Sequence, residues 1–395
     1  MAKIDGLTNA KRNKKDEFYT QYEVIQEEIN AYLEYNPDTF RDKTVLLPCD
    51  DPEWSNFTRF FAQNFETLGL KKLISTSYAP NSNRNKYHQI SLFEIFDEFN
   101  QPLKEDEPRG RIFTLTRRNK KVDIDDLSWK YLDGDGDFRS DEVKALRDEA
   151  DIIVTNPPFS LFKDFFNWVL EANKQFLIIG SQMAITYSEV FPQIQANNVW
   201  LGPSIHSGDR EFRVPDDYPL KAAGHRIDKH GNKYIRVKGV RWFTNIDHGR
   251  RHIPMSLMTM ADNVKFSKHK EIQKTGYFKY DNYDVLEVPF TDAIPSDYDD
   301  LMGVPITFMD KYNPEQFEIV GSSQTGCHPD SMVLRSYKDY KGYHQDGKPT
   351  GRTGSTCGHN PMILKNDGVH DYYMNDEGRI VQSGNSRIFI RRKDA

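Results

Sequence analysis

Short apolar runs alternate with amphipathic helical periods along the first half of this chain, and the alternation stops near residue 250. From Tyr22 to Tyr35 apolar positions recur at helical spacing, and residues 43 to 48, with Val45, Leu46 and Leu47 at their centre, read as a buried strand. A helix is predicted from Glu53 to Leu68, where Trp54, Phe57, Phe60, Phe61 and Phe65 share one side and Gly69 supplies a C-cap. Residues 72 to 78 read as the next strand. Ser140 caps a helix running to Glu149. Ala150 to Thr155 is a short β-branched strand, Leu161 to Ala172 a helix with Phe162, Phe165, Phe166 and Val169 on one side, and Gln175 to Gly180 another buried strand. His225 to Asn245 alternates and predicts a β-hairpin turning at His230-Gly231-Asn232.

Strands alternating with helices predict an α/β fold, a doubly wound and largely parallel Rossmann-like sheet with the hairpin as its antiparallel edge. Residues 80 to 112 are polar and mixed and read as an insertion. Beyond residue 250 proline, glycine, tyrosine and asparagine rise and the helical periods break up, while aromatic residues persist. That composition predicts a smaller irregular α+β domain rather than a disordered tail. At 395 residues the chain exceeds the size of a single core, so the expected division is 1–250 and 251–395.

Composition narrows the class. No apolar run reaches membrane-spanning length and the segment Met1 to Lys15 is polar and basic, so a soluble cytoplasmic protein without signal peptide or anchor is expected. Three cysteines do not make a disulfide framework. The net charge of −6 does not favour nucleic acid, but its distribution changes the picture. Between Ile205 and His252 eleven Lys and Arg stand against six acids, together with five histidines. Such a stripe suits phosphate contact, and an ordinary solvated face accounts for the charge equally well.

The chemistry concentrates where the strand at 150 to 155 runs into Asn156-Pro157-Pro158-Phe159. A rigid turn is one reading, since two prolines fix two φ angles and remove two donors. The other is catalytic. An aromatic amine is a poor nucleophile because its lone pair is delocalised into the ring. The Asn156 side-chain oxygen and the Pro157 carbonyl can accept hydrogen bonds from both amino hydrogens and turn the lone pair toward a methyl donor, with Phe159 stacked on the base. A loop at the carboxyl end of a strand in an open α/β sheet is also where such folds bind ligands. By contrast, Asp133-Gly-Asp-Gly-Asp137 fails as a calcium loop, because Phe138 and Lys144 stand where glycine and glutamate are needed. Cys327, His328, Cys357 and His359 have zinc-ligand chemistry at a spacing that matches no standard site, and no metal is expected.

Taken together, Asp16-Glu-Phe-Tyr-Thr20, Cys49-Asp-Asp-Pro52 with Ser55-Asn56-Phe57, Gly69-Leu-Lys-Lys-Leu73, Gly136-Asp-Phe-Arg-Ser140, Thr155-Asn-Pro-Pro-Phe-Ser160 and Arg241-Trp-Phe-Thr-Asn245 resemble the EcoRI-type family of adenine-specific DNA methyltransferases. The resemblance implies S-adenosylmethionine as cofactor and duplex DNA as partner. It implies that Phe18, Tyr19 and Thr20 lie over the methionine end of the cofactor, and that Cys49, Asp50 and Asp51 form the loop for its amino-acid part. That loop lacks the usual glycines, so two acids are left as candidates for the cofactor's ammonium group. Ser77 and Tyr78 stand where a ribose-binding acid is usual. Asp137 and Phe138 match the position that accepts from, and packs on, the cofactor's adenine.

A base inside a duplex must be extruded before its amino group can be reached. Trp242 or Phe243 is the candidate for the second face of the flipped adenine, with edge-strand core packing the alternative. Arg241, Arg250 and Arg251 are candidate DNA contacts, as is the cluster Arg387, Arg391, Arg392 and Lys393. Residues after 250 are expected to read the sequence. A monomer or weak dimer is expected, with any cognate restriction endonuclease acting as a separate protein. Two rivals remain: a protein glutamine N-methyltransferase, which uses the same tetrapeptide, and a DNA-binding protein that keeps the fold without catalysis.

Overall fold

The structure, a computed structural model, describes residues 20–53, 55–78, 109–117, 129–205, 209–214, 224–324, 330–353, 360–365 and 371–393. Phe18, Tyr19, Trp54, Cys327, His328, Cys357 and His359 lie outside them, as does most of the expected insertion. In chain order the elements begin with α1 (Tyr22–Tyr35), β1 (Thr44–Leu47), α2 (Asn56–Gln63), β2 (Lys72–Ser77), β3 (Arg111–Thr116) and β4 (Lys130–Tyr131). They continue with α3 (Asp141–Glu149), β5 (Ile152–Thr155), α4 (Phe162–Glu171), β6 (Gln175–Ser181), α5 (Phe191–Gln195) and β7 (Trp200–Leu201). Then follow β8 (Asp209–Val214), β9 (Arg226–Ile227), β10 (Lys233–Lys238) and β11 (Val240–Thr244). Two compact units emerge: Met1–Gln182 with Gly208–His248, and Met183–Ser207 with Gly249–Ala395.

The first unit is mixed α/β, built on a large mixed sheet in the order β4-β3-β2-β1-β5-β6-β11. β1 runs parallel to β2 and β5, and β5 parallel to β6. β3 and β11 are antiparallel to their neighbours β2 and β6. All four residues of β1 and of β5 are buried, as strands covered on both faces require. Helices cover both faces. On β11, Trp242 meets Phe57 of α2 edge-on at 6.0 Å, and its neighbour Phe243 meets Phe162 of α4 at 5.2 Å. Successive strand residues point to opposite faces, so α2 and α4 lie on opposite sides of the sheet.

Local signals explain the helix ends. Ser140 Oγ accepts from Val143 N, and Ser55 Oγ accepts from Phe57 N, each filling an orphan donor of the first turn. Because Ser55 is the cap, α2 starts at Asn56 rather than Glu53. It stops at Gln63, well before Leu68, and the chain turns at Gly69 with φ +65°.

Two expectations need correction. Residues 111 and 112, assigned to the insertion, begin β3 and pair with Ser77 and Thr76. The predicted hairpin does turn between β9 and β10, but it belongs to a separate three-stranded sheet, β8-β10-β9, and not to the edge of the main one. Gly239, at φ +64°, lets the chain leave that small sheet and run directly into β11 of the large sheet.

The second unit has a four-stranded sheet of Leu286–Glu287, Met302–Val304, Ile388–Arg392 and Phe317–Ser322 in spatial order, and a five-stranded sheet between Lys341 and Ser383. Several of its buried polar groups are paired with one another. Arg387 forks onto Glu287 at 2.6 Å with both side chains buried, and Asp281 accepts from Tyr340 Oη at 2.8 Å and Asn375 Nδ2 at 3.0 Å. Of the expected phosphate-binding cluster at the end of the chain, Arg387 is thereby engaged internally, whereas Arg391 and Lys393 are exposed. Besides Arg387, Arg392 donates to the Ser296 carbonyl and Lys393 to the Pro314 carbonyl at 2.8 Å, while Arg391 stands 3.9 Å from Glu318. Among the described residues no helix is long and apolar enough to cross a membrane.

Candidate active site

Parallel pairing of β1 with β2 and β5 brings three strand ends together at one edge of the sheet. The loop after β1 carries Cys49, Asp50 and Asp51; Asn156 follows β5 directly. Ser77 ends β2, and the loop 133–137 lies against it. A Cβ on Gly110 would stand 2.6 Å from the Ser77 carbonyl oxygen, and one on Gly136, at φ +79°, would lie closer still. Only glycine permits that approach, which brings Asp135 and Asp137 near enough to the half-buried Tyr78 to join burial in raising its phenol pKa.

Asn156 Nδ2 donates to Thr20 Oγ1 at 3.2 Å, and Asn56 Nδ2 donates to the Thr20 carbonyl at 2.7 Å. Thr20 is thus buried between the cap of α2 and the Asn-Pro-Pro-Phe loop. Pro157 is buried, and Phe159 opens a single 3-10 turn, Phe159–Leu161, with 7% of its surface exposed. That exposure makes the ring a wall of the site rather than a projecting flap.

The two acids of the first loop differ. Asp50 accepts from Ser55 Oγ and from Thr155 Oγ1, each at 2.6 Å, so both carboxylate oxygens are engaged within the chain. Burial pushes its carboxyl up to about 7 despite those two hydroxyl donors. Asp51 Oδ1 accepts from Glu53 N at 2.9 Å, whereas its Oδ2 is buried, and the Ser77 hydroxyl also bears on the carboxylate. Arg111 Nη1 is 3.8 Å from that oxygen and pairs with Glu53 at 2.6 Å, while the guanidinium carbon lies 4.3 Å over the Trp129 ring. Burial raises the Asp51 carboxyl as well, with the Glu53 amide and Arg111 opposing it. Of the two candidates for a cofactor ammonium, the geometry favours Asp51.

Asp137 is held by Arg139, which donates through Nε at 2.9 Å and Nη2 at 2.6 Å, and this holds its carboxyl below the usual range. A carboxylate has about four lone-pair sites, so it can still accept one more donor. Phe138 packs against Phe165 at 5.1 Å and Trp168 at 5.6 Å and, like Phe159, keeps only a small part of its surface exposed. A correction applies to Trp242 and Phe243, which are 1% and 0% exposed because β11 is covered on both faces. A ring sealed between helix and sheet offers no face to a base.

The expected DNA contacts also move. Arg241 is 2% exposed on β11 and donates to the Val240 carbonyl at 2.7 Å. Arg251 is buried, with its guanidinium 3.5 Å from the Trp200 ring centre and a hydrogen bond to Asn197 Oδ1. Arg250 is half-buried and donates to the Pro203 carbonyl at 3.0 Å. Sequence reasoning assigned no role to Ser55, Thr155, Arg111, Glu53 or Trp129. Only Ser55 had a readable signal, as a cap ahead of a helical period.

An α/β sheet whose strand ends carry Asn-Pro-Pro-Phe beside a glycine-walled loop and a buried acid defines the class of amino-group methyltransferases. The family model described as adenine-specific methyltransferase EcoRI matches residues 6–393, and the chain belongs to that family. It is 40% identical over 316 residues to the Type II methyltransferase M.EcoRI of Escherichia coli, covering 80% of this chain and 88% of that one. Relatives in Mycoplasma genitalium (M.MgeORF184P, 35% identical, 80% of this chain and 85% of that one) and Mycoplasma pneumoniae (M.MpnI, 33%, 80% and 84%) match over the same length. No solved structure matches the chain.

Proposed function

We infer that the chain transfers a methyl group from S-adenosylmethionine to the N6 amino group of an adenine flipped out of duplex DNA. The observation that carries this reading is the placement of Asn156, one residue beyond a buried parallel strand and tied through Nδ2 to Thr20. Fixing Nδ2 fixes the far end of the planar amide, Oδ1, as the atom presented to a substrate N–H. The Pro157 carbonyl is the second acceptor, and Phe159 is the wall against which the base stacks. Acceptors aimed at an amino group gaining positive charge stabilise the transition state without a covalent intermediate.

S-adenosylmethionine, when bound, supplies a methyl group already activated by its sulfonium. The residues present fit it. Asp51 Oδ2 is a buried acceptor suited to its ammonium group, and Asp137 can accept from its adenine amino group; for Phe18, Tyr19, Thr20 and Cys49 the roles at the methionine end rest on the family resemblance. The first unit is read as the doubly wound, Rossmann-like catalytic fold and residues 251–395 as the target-recognition region.

For DNA contact the outward face of β8, β9 and β10 replaces the buried arginines. Register pairs Tyr234 with Arg213 and with Arg226, and Arg236 with Glu211, so these side chains share one face. Phe212, Val214, Ile235 and Val237 are buried on the other. Arg226 lies 4.2 Å over the Tyr234 ring, and Arg236 and Lys238 are exposed. A cationic sheet face with an aromatic ring suits a phosphate backbone.

The test uses labelled S-adenosylmethionine and duplex DNA, followed by digestion to nucleosides. N6-methyladenine is expected from the wild type, and Asn156→Ala should lose about 10²–10³-fold in rate with cofactor binding retained. Label in N4-methylcytosine, or in protein glutamine instead of DNA, would overturn the assignment.

A further inference from the structure

The two oxygens of Asp50 tie the cap of α2 to the end of β5, adding side-chain bonds beyond the last residues that pair β1 with β5. One accepts from Ser55, the residue that caps α2, and the other from Thr155, the residue immediately before Asn156. All three side chains are buried: Asp50 is 6% exposed, Ser55 7% and Thr155 0%. The Asp50 backbone is held equally firmly. Its N–H donates to the Thr76 carbonyl at 3.0 Å, and its own carbonyl accepts from Ser75 Oγ, which in turn pairs with Thr58 Oγ1 at 2.7 Å. Sequence spacing gives no hint of this, since Asp50 and Thr155 lie 105 residues apart.

Burying a carboxylate is costly unless hydrogen bonds compensate it, and an apolar residue would fill the same volume without that cost. A carboxylate kept here does something an apolar residue cannot: it fixes the direction of two hydroxyls at once. The loop it belongs to carries Asp51, and the loop it grips carries Asn156. We propose that Asp50 is a positioning residue for methyl transfer, whose bond to Thr155 Oγ1 sets the Asn156 peptide in register with the loop that follows β1. Both Asp50 oxygens are taken by these internal donors, so its proposed role is exerted through Thr155. The proposal rests on the reading of Asn156 as the acceptor of the amino group. Among the described residues Asp51 is the charged neighbour that bears on Asp50, and it adds to burial in raising the Asp50 carboxyl.

The experiment measures the single-turnover rate of methyl transfer at saturating duplex and S-adenosylmethionine, beside separate equilibrium binding of each. Thr155→Val keeps the shape of the side chain and removes the donor, Thr155→Ser keeps the donor, and Asp50→Asn replaces one acceptor with a donor. A misplaced acceptor lowers the transfer rate with little effect on binding, so Thr155→Val should lose about 30- to 100-fold in rate. Thr155→Ser should stay within about threefold of wild type, and Thr155→Val combined with Asp50→Asn should be no slower than the worse single variant, because the pair acts as a unit. Three results would overturn the proposal: a Thr155→Val rate within about twofold of wild type, equal damage by Thr155→Ser, or losses that multiply in the double variant. If Thr155→Val does not fold, Asp50→Asn decides alone, a loss confined to binding counting against positioning. A wild type that methylates no adenine in DNA would instead overturn the function, not this inference.

Discussion

Gly180 on β6 has no side chain, and the space a Cβ would take belongs to Phe162, the first residue of α4. A Cβ built there would stand 2.8 Å from Phe162 Cζ and 2.9 Å from Cδ2, with Cε2 nearer than either. Ordinary carbon contacts lie at about 3.5–4.0 Å, and the nearest ring atom sets the requirement, so Gly180→Ala forces a displacement of about 1 Å or more. The ring has nowhere to go. It is 2% exposed, flanked by Phe166 at 6.0 Å and Phe243 at 5.2 Å. Overpacking of this kind costs about 1–3 kcal/mol. The shift is passed to the first turn of α4, which the Asn-Pro-Pro-Phe loop enters, so the single-turnover rate should fall about tenfold or more. Urea unfolding should show a lower midpoint with an unchanged slope. Phe162→Leu should relieve the clash, so that the double variant is more stable than the sum of the single effects by about 1 kcal/mol. A Gly180→Ala protein within about 0.5 kcal/mol of wild type, or an additive double variant, would refute the steric argument.

Other predictions concern charge. The Asp50 carboxyl is raised from 3.8 to about 7, so between those values the folded state holds a proton that the unfolded chain has released. Stability should therefore fall as pH rises through that window, by at most about 1.4 kcal/mol per pH unit for this group. Asp51 acts in the same direction, and comparison with Asp50→Asn isolates the Asp50 share; identical pH slopes in urea unfolding would refute it. Asp137 is lowered, chiefly by Arg139, so its contribution has the opposite sign and is lost on acidification below the ordinary carboxylate range. On the β8–β10 face, Arg236→Ala and Lys238→Ala should each weaken duplex binding irrespective of sequence and reduce the slope of log affinity against log salt by about 1. An unchanged salt slope in both would remove that face from the DNA interface.

The parts legible in the sequence were those encoded locally. The strand before Asn156, the Ser140 cap and the turn at Gly69 each depend on neighbours a few residues away, and each is found where its signal lies. What could not be read is which side chains the rest of the fold would cover. Trp242 and Phe243 are the kind of aromatic pair that can face a base, and nothing in the residues themselves announces that helices seal both sides of β11. Arg251 looks like a surface cation until Trp200 is seen beneath it. Arg111 lay in a stretch too polar to be read as a strand, although it begins one. The division of labour between Asp50 and Asp51 was hidden for the same reason: adjacent identical residues acquire different roles only through partners distant in sequence.

The bond from Asn156 to Thr20 spans 136 residues, and β1 finds one of its two neighbours, β5, only after more than a hundred residues have intervened. Closing such loops must precede the contacts that reward it, which slows folding. A chain emerging from the ribosome therefore holds β1 and β2 long before it holds anything that can bind a base. The proposed acceptor for the amino group forms later than the strands it lies beside, and until residue 156 has been made and docked the nascent protein has no active site to misuse.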